Sequence, residues 1–384
     1  MIDIEGEEKR VVRMQTRPRS NLDILLQTFI RLDGDLTIIG DEEPYLFPVC
    51  QETIPSAFYS LEEAMVHLDT IATAAHGICR NIVIMADKMI TCDRPELEAM
   101  DADMRNCLAC AYSRMIPIDE EQEARLEKIK TDMNAWMPAL AFLPVTQAQE
   151  SAQLLTQIHF FYTWFTVLSW RDENEMLVDR FDGQFDHILT LAERYVKIHG
   201  SFLSPDGTDS RSASSALTRQ AFTVGTDLVT CINMIGFKSR NGKVRRRCVR
   251  LLQTINLAGV FDGHYLAAFT QTVIDLEERK ARAINGLPPD VDLLCHQVPE
   301  EARLVEIELS PISHMVEEKS FYKKDSGRLI YVYFKDLDTR ELDVSQEIFS
   351  VQRPMSAAKG ATCPHWCGEW DDAFADFGEK FPTT

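Results

Sequence analysis

From Asn21 to Ile284 apolar residues recur every three or four positions, the spacing that lines one face of an α-helix. Leu22, Leu25, Leu26, Phe29 and Ile30 open this pattern and predict a first helix. A loop follows, GDEEPYLFPVCQETIP, rich in the Gly, Pro and acidic residues that interrupt regular elements. At its end Ser60 stands three residues before Glu63, the spacing of a capping box, and Leu61, Ala64, Met65, Leu68, Ile71 and Ala72 then share a face. A second helix therefore starts there and runs to about Met89, with Gly77 as a candidate break. Further helices are expected over 120–136, 146–169, 176–199, 213–237, 243–257 and 264–284. The proline-flanked stretch Pro138–Val145 and the Gly, Ser and Pro cluster Gly200–Ser215 read as connections.

Near the C-terminus the period changes. Arg303 to Leu309 alternates as RLVEIEL, and Leu329 to Phe334 reads LIYVYF, both rich in residues that favour strands. The expected fold is mainly α, a multi-helix array with a short C-terminal β-hairpin. Its organisation is a flexible N-terminal segment at 1–20, a helical domain at 21–300, the hairpin packed on it at 301–338, and an acidic aromatic tail at 339–384.

Composition narrows what such an array does. With 45% apolar and 26% charged residues the chain has the balance of a folded soluble protein. Its formal charge of −20 opposes a duplex, because DNA affinity depends on Lys and Arg displacing phosphate counterions. The most apolar stretch, Leu154 to Trp170, is broken by Thr156, Gln157, His159, Thr163 and Ser169 and is too short to span a bilayer comfortably. It predicts a buried helix, and no membrane partner is expected. The opening MIDIEGEEKRVVRMQTRPRS has no apolar core of the kind a secretory signal needs. Ten cysteines without an export signal read as reduced thiols in a cytosolic or nuclear protein.

Three stretches resemble the regulatory domain that follows the DNA-binding module in fungal binuclear zinc cluster transcription factors. They are LLQTFIRLDGDLTIIG (25–40) with IPSAFYSLEEAMVHLD (54–69), CINMIGFKSRNGKVRRRCVRLLQTI (231–255) with GVFDGHYLAAFTQTVIDLEE (259–278), and VPEEARLVEIEL (298–309) with LIYVYF. The resemblance implies a transcription regulator or co-regulator, in the nucleus with the cytoplasm as the other option, serving a gene set such as a fungal secondary-metabolite cluster. Members of that family open with six cysteines holding two zinc ions for groove recognition. No such module precedes the first helix here, so a truncated regulator acting through the transcription machinery or a DNA-bound factor is expected. The resemblance implies no catalytic residue and no cofactor.

Candidate chemistry is thin by comparison. Cys107 and Cys110 lie one helical turn apart, but no second pair or nearby His completes four ligands, and core cysteines are the simpler reading. Cys363, His365 and Cys367 offer three candidate zinc ligands, too few to assign a metal. GFKSRNGKV (236–244) fails the phosphate-loop pattern, with five residues between its glycines where four are needed and Val244 in place of the magnesium-binding hydroxyl. The rival reading is a helical enzyme, with terpene cyclases as its sharpest form. Asp371, Asp372 and Asp376 imitate their magnesium motif, but they stand in an acidic stretch without the second motif that such a site requires.

Lys243, Arg245, Arg246 and Arg247 form the centre of a dense basic cluster with Lys238, Arg240 and Arg250. They are candidates for a nuclear-import signal or for a solvated basic helix face opposite Val244, Cys248, Leu251, Leu252 and Ile255. In the tail, Trp366, Trp370, Phe374, Phe377 and Phe381 recur at helical spacing among acidic residues, a candidate partner-binding segment or a latch onto the chain's own body.

Overall fold

The computed structural model describes residues 53–198 apart from 101, 145 and 173, then 221–223, 227–255, 257–259, 263–309 apart from 290, 328–335 and 342–349, with short pieces at 2–3, 10–13, 25–26, 29–30 and 46–49. Among these residues eight α-helices dominate: α1 (Leu61–Asp93), α2 (Ala102–Ser113), α3 (Glu120–Ala141), α4 (Glu150–Ser169), α5 (Asp182–Ile198), α6 (Asp227–Lys238), α7 (Gly242–Thr254) and α8 (Gly263–Asn285). No described helix is long and apolar enough to cross a membrane.

The start of α1 follows from local chemistry. The Ser60 hydroxyl accepts the Glu63 amide at 3.1 Å, and the Glu63 carboxylate returns to the Tyr59 amide at 2.6 Å, one residue upstream of the expected reciprocal bond. The helix runs unbroken through Gly77, with Ala75, Ile78 and Ile82 buried on the turns around it. Helix α3 likewise continues one turn past Pro138 where a connection is expected. That turn buries Ala139 and Leu140 against the core, and packing outweighs the amide that proline lacks. The helix expected over 176–199 divides into a 3-10 turn, Glu175–Phe181, and α5.

Two apolar cores share α4, which explains why that helix is hydrophobic on nearly every side. On one side Phe160 and Val167 join Phe58, just before α1, with Leu61, Leu68, Ile129, Met133 and Trp136 from α1 and α3. On the other, Phe161 and Phe165 meet Phe181, Phe185, Leu189, Ile232, Cys248, Leu252 and Ile274 from the 3-10 turn, α5, α6, α7 and α8. Trp136 is fully buried, stacks on Phe160 at 4.7 Å between ring centroids, and donates its indole N–H to the Ala64 carbonyl at 2.8 Å. The α6–α8 crossing is equally tight: a Cβ on Gly236 would lie 2.4 Å from the Thr270 methyl, so only glycine fits there.

The strands are β1 (Ile2–Asp3), β2 (Arg10–Arg13), β3 (Leu46–Val49), β4 (Ala221–Thr223), β5 (Leu257–Gly259), β6 (Leu304–Leu309), β7 (Arg328–Lys335) and β8 (Leu342–Phe349). The expected C-terminal pairing is present, with β6 antiparallel to β7 and Ile307 opposite Val332. A third strand, β8, adds to the far edge of β7. It occupies the beginning of the segment expected as tail, so that assignment is corrected for 342–349. The sheet packs on α8 through Val273, Leu276, Leu304 and Val332.

A histidine couples this packing to pH. On α1, His76 has its pKa lowered to about 4, first by burial and then by neighbouring His159 of α4. It is neutral in the fold, whereas the unfolded chain takes up a proton near the ordinary value of 6.5. Its contribution is therefore complete above pH about 6.5 and is lost as pH falls towards 4, by about 2 kcal/mol once its partial exposure is allowed for. Urea midpoints measured between pH 7 and 4 should fall less steeply for His76→Gln than for the native chain. Parallel slopes would show that His76 protonates freely in the fold.

Candidate functional site: a buried ion network between helices and sheet

Where α6 turns into α7, the chain buries an unusual density of charge. Lys238 ends α6, Arg240 lies in the turn, and Asn241 caps α7 by accepting the Lys243 amide at 3.1 Å. The turn is pressed against the segment before β6, since the Gly242 amide donates to the Leu293 carbonyl at 2.8 Å. Arg240 and Arg245 have essentially no exposed surface, and neither has Glu277 of α8. Glu277 receives both guanidinium groups, Arg240 at 2.8 Å and Arg245 on its second oxygen. It also accepts the Leu304 amide at 2.7 Å, which ties α8 to the first residue of β6.

A second centre adjoins the first. Glu175, at the start of the 3-10 turn, takes Lys238 at 3.0 Å, Arg240 at 3.1 Å, and Arg114 from just beyond α2. Arg114 reaches on to the Val305 carbonyl of β6 at 3.2 Å. Arg303, also without exposed surface, closes a third centre with a bidentate pair to Asp179 at 2.7 and 2.8 Å. It donates further to the carbonyls of Glu175, Cys295 and Val298. Five cations and three carboxylates thus join α2, the 3-10 turn, α6, α7, α8 and β6.

The electrostatics follow from this pairing. Burial alone raises the pKa of Glu175, but Lys238, Arg114 and Arg240 outweigh it and hold the carboxyl well below its ordinary range. The same balance, with burial opposed by Arg240 and Arg245, lowers Glu277. Half-buried Glu306 of β6 goes the other way: desolvation raises it more than Lys238 and Arg114 lower it. Burial lowers Lys238 against the opposing pull of Glu175. Two carboxylates fixed in the ionised state between guanidinium groups are poor proton donors, and the arrangement acts chemically as a clamp.

The chain matches no known family model, no curated protein and no solved structure. Its functional reading accordingly rests on where the residues stand.

The basic cluster is corrected by these positions. Lys243 is exposed, as a solvated face requires, and Cys248, Leu251 and Ile255 are buried. Arg245 is not on that face: it is buried on Glu277 because its helical phase, three residues before Cys248 and seven before Leu252, turns it inward. Arg246 and Arg247 are half-buried in ion pairs, Arg246 with Glu278 at 2.8 Å and Asp292 at 3.3 Å, Arg247 with Glu193 at 3.0 Å and with Asp186. Three of the four candidate import residues therefore join helices instead of forming a free basic surface.

Other candidates separate in the same way. GFKSRNGKV is the end of α6, a turn and the start of α7, with Gly236 inside the helical crossing. Cys107 and Cys110 both fall on α2, Cys110 half-buried. Among the described residues no group of three His, Cys, Asp or Glu is placed to hold a metal ion. Cys363, His365, Cys367, the aspartates 371, 372 and 376, and the aromatic positions Trp366, Trp370, Phe374, Phe377 and Phe381 lie outside the described residues. Sequence reasoning missed Arg114, Glu175, Asp179, Glu277 and Arg303. One signal was available, since Glu277 shares its helical phase with Val273, Ile274 and Ala281, an acid on an apolar face.

Proposed function

We propose that this chain is the helical regulatory domain of a transcription regulator or co-regulator. It works in the nucleus through protein partners, namely the transcription machinery or a DNA-bound factor. One observation carries the reading: two of the three separated stretches that resemble fungal zinc cluster regulators meet in the ion network. Arg240, Arg245 and Glu277 come from the second stretch, and Arg303 and Leu304 from the third. The first joins the same body through Phe58, Leu61 and Leu68 in the core around Trp136. A resemblance made of packing residues is what a shared regulatory fold would leave in a sequence, and its setting implies a gene set of fungal secondary metabolism.

On this proposal, recruitment falls to the acidic aromatic stretch with Trp366, Trp370, Phe374 and Phe377. Direct groove reading has no place in it. The net charge of −20 opposes a duplex, and most cations of the basic cluster are already bound to carboxylates. The purified chain should give no sequence-dependent complex with duplex DNA in polarisation or electrophoretic assays at physiological salt. A nanomolar, sequence-selective complex would overturn the partner-dependent reading.

A further inference from the structure

A hollow of about 210 Å3 opens where α1 ends and α2 ends beside it. Its walls are Met89 and Ile90 of α1, Leu97 of the 3-10 turn that follows, Tyr112 of α2, and Met115 and Ile116 just beyond α2. Asp93 and Arg94, both exposed, are its charged members. An apolar hollow normally shrinks as its walls relax, because the cost of a cavity grows with its volume. Here two independent restraints hold the walls apart. Ile90, Leu97 and Tyr112 pack on the buried pair Leu108 and Tyr333, which fixes the rear wall to the C-terminal sheet. Met115 and Ile116 directly follow Arg114, which Glu175 and the Val305 carbonyl anchor in the ion network.

We propose that this hollow is a binding site for a small, uncharged, mainly apolar molecule. The size class follows from the volume: about 150 Å3 is enough for benzene in an apolar protein cavity, so this one suits one or two fused rings or a branched aliphatic group of similar bulk. The charge class follows from the neighbouring Asp93 and Arg94, whose opposite charges cancel and favour neither an anion nor a cation. Met89 and Met115 add adaptable, polarisable walls that suit an aromatic face. The site stands independently of the transcriptional reading, since its argument uses only the shape and chemistry of the hollow.

The test is fluorescence titration of the full chain with N-phenyl-1-naphthylamine, a neutral aromatic probe that brightens in apolar surroundings. Saturable binding of one probe per chain, displaced by naphthalene, is expected. Met89→Trp and Leu97→Trp each fill the hollow and should weaken the probe at least ten-fold. Met89 is 47% exposed, so its replacement leaves the core intact and thermal melting should confirm an unchanged fold. Phe142→Ala removes a 72% exposed aromatic elsewhere and should change nothing. A sulfonated analogue, anilinonaphthalene sulfonate, should bind no more tightly than the neutral probe. Absence of saturable binding, equal affinity in folded Met89→Trp, loss of binding in Phe142→Ala, or preference for the sulfonate would overturn the proposal.

Discussion

Glu277→Ala should remove about 3 to 5 kcal/mol of stability, a large share of the 5 to 15 kcal/mol that typically holds a domain folded. The reason is asymmetric. The native carboxylate neutralises Arg240 and Arg245, both without exposed surface, and its loss leaves buried Arg245 without its ion-pair partner and buried Arg240 with Glu175 alone. The Leu304 amide also loses its acceptor, so the first residue of β6 keeps only its apolar packing on α8. Glu277→Gln keeps an acceptor but not the charge and should fall between the native chain and the Ala variant. Replacing Arg240, Arg245 and Glu277 together by Met, Met and Leu should cost much less than the single Ala change, because apolar groups of similar volume remove the charges along with their partner. Urea unfolding followed by circular dichroism checks the series. A Glu277→Ala variant within about 1 kcal/mol of the native chain would show that the network does not clamp the helices.

The second large effect is expected at Trp136. Trp136→Ala should cost about 3 to 5 kcal/mol, through a cavity between α1, α3 and α4 and the loss of its stack on Phe160. Trp136→Phe retains much of the stack and loses the bond to the Ala64 carbonyl, so its cost should be nearer 1 to 2 kcal/mol. Thermal and urea unfolding distinguish the two. Equal losses would mean that the indole N–H, and not the ring volume, holds this core.

Much of the fold is legible in the sequence because most of its helices bury long, regular apolar faces. Ser60 announces α1, and the starts of α3 and α8 lie at or beside the positions that periodicity gives. Helix α2 was not legible. Its sequence, ADMRNCLACAYS, buries small residues such as Ala109 and Ala111, and a face so weakly apolar needs its neighbours to declare itself. Strand β8 was obscured by Asp343 and Glu347, which suggest an acidic tail until β7 supplies the pairing partner. The ion network was hidden for a deeper reason. Its ion pairs join residues from 32 to 124 positions apart, and a sequence shows an arginine without showing the carboxylate it meets. The partial exception is helical phase: Arg245 and Glu277 both fall on apolar faces, where a charge has to find an opposite charge.

If this chain changes transcription once brought to DNA by something else, a tethered reporter measures it directly. The full chain is fused to an unrelated DNA-binding domain and expressed in cells carrying a reporter with that domain's sites. A several-fold change in reporter transcription relative to the DNA-binding domain alone is expected, lost when Trp370 and Phe374 are replaced by Ala in a fusion that accumulates equally. A folded, nuclear fusion that leaves the reporter at the level of the DNA-binding domain alone would contradict the transcriptional reading.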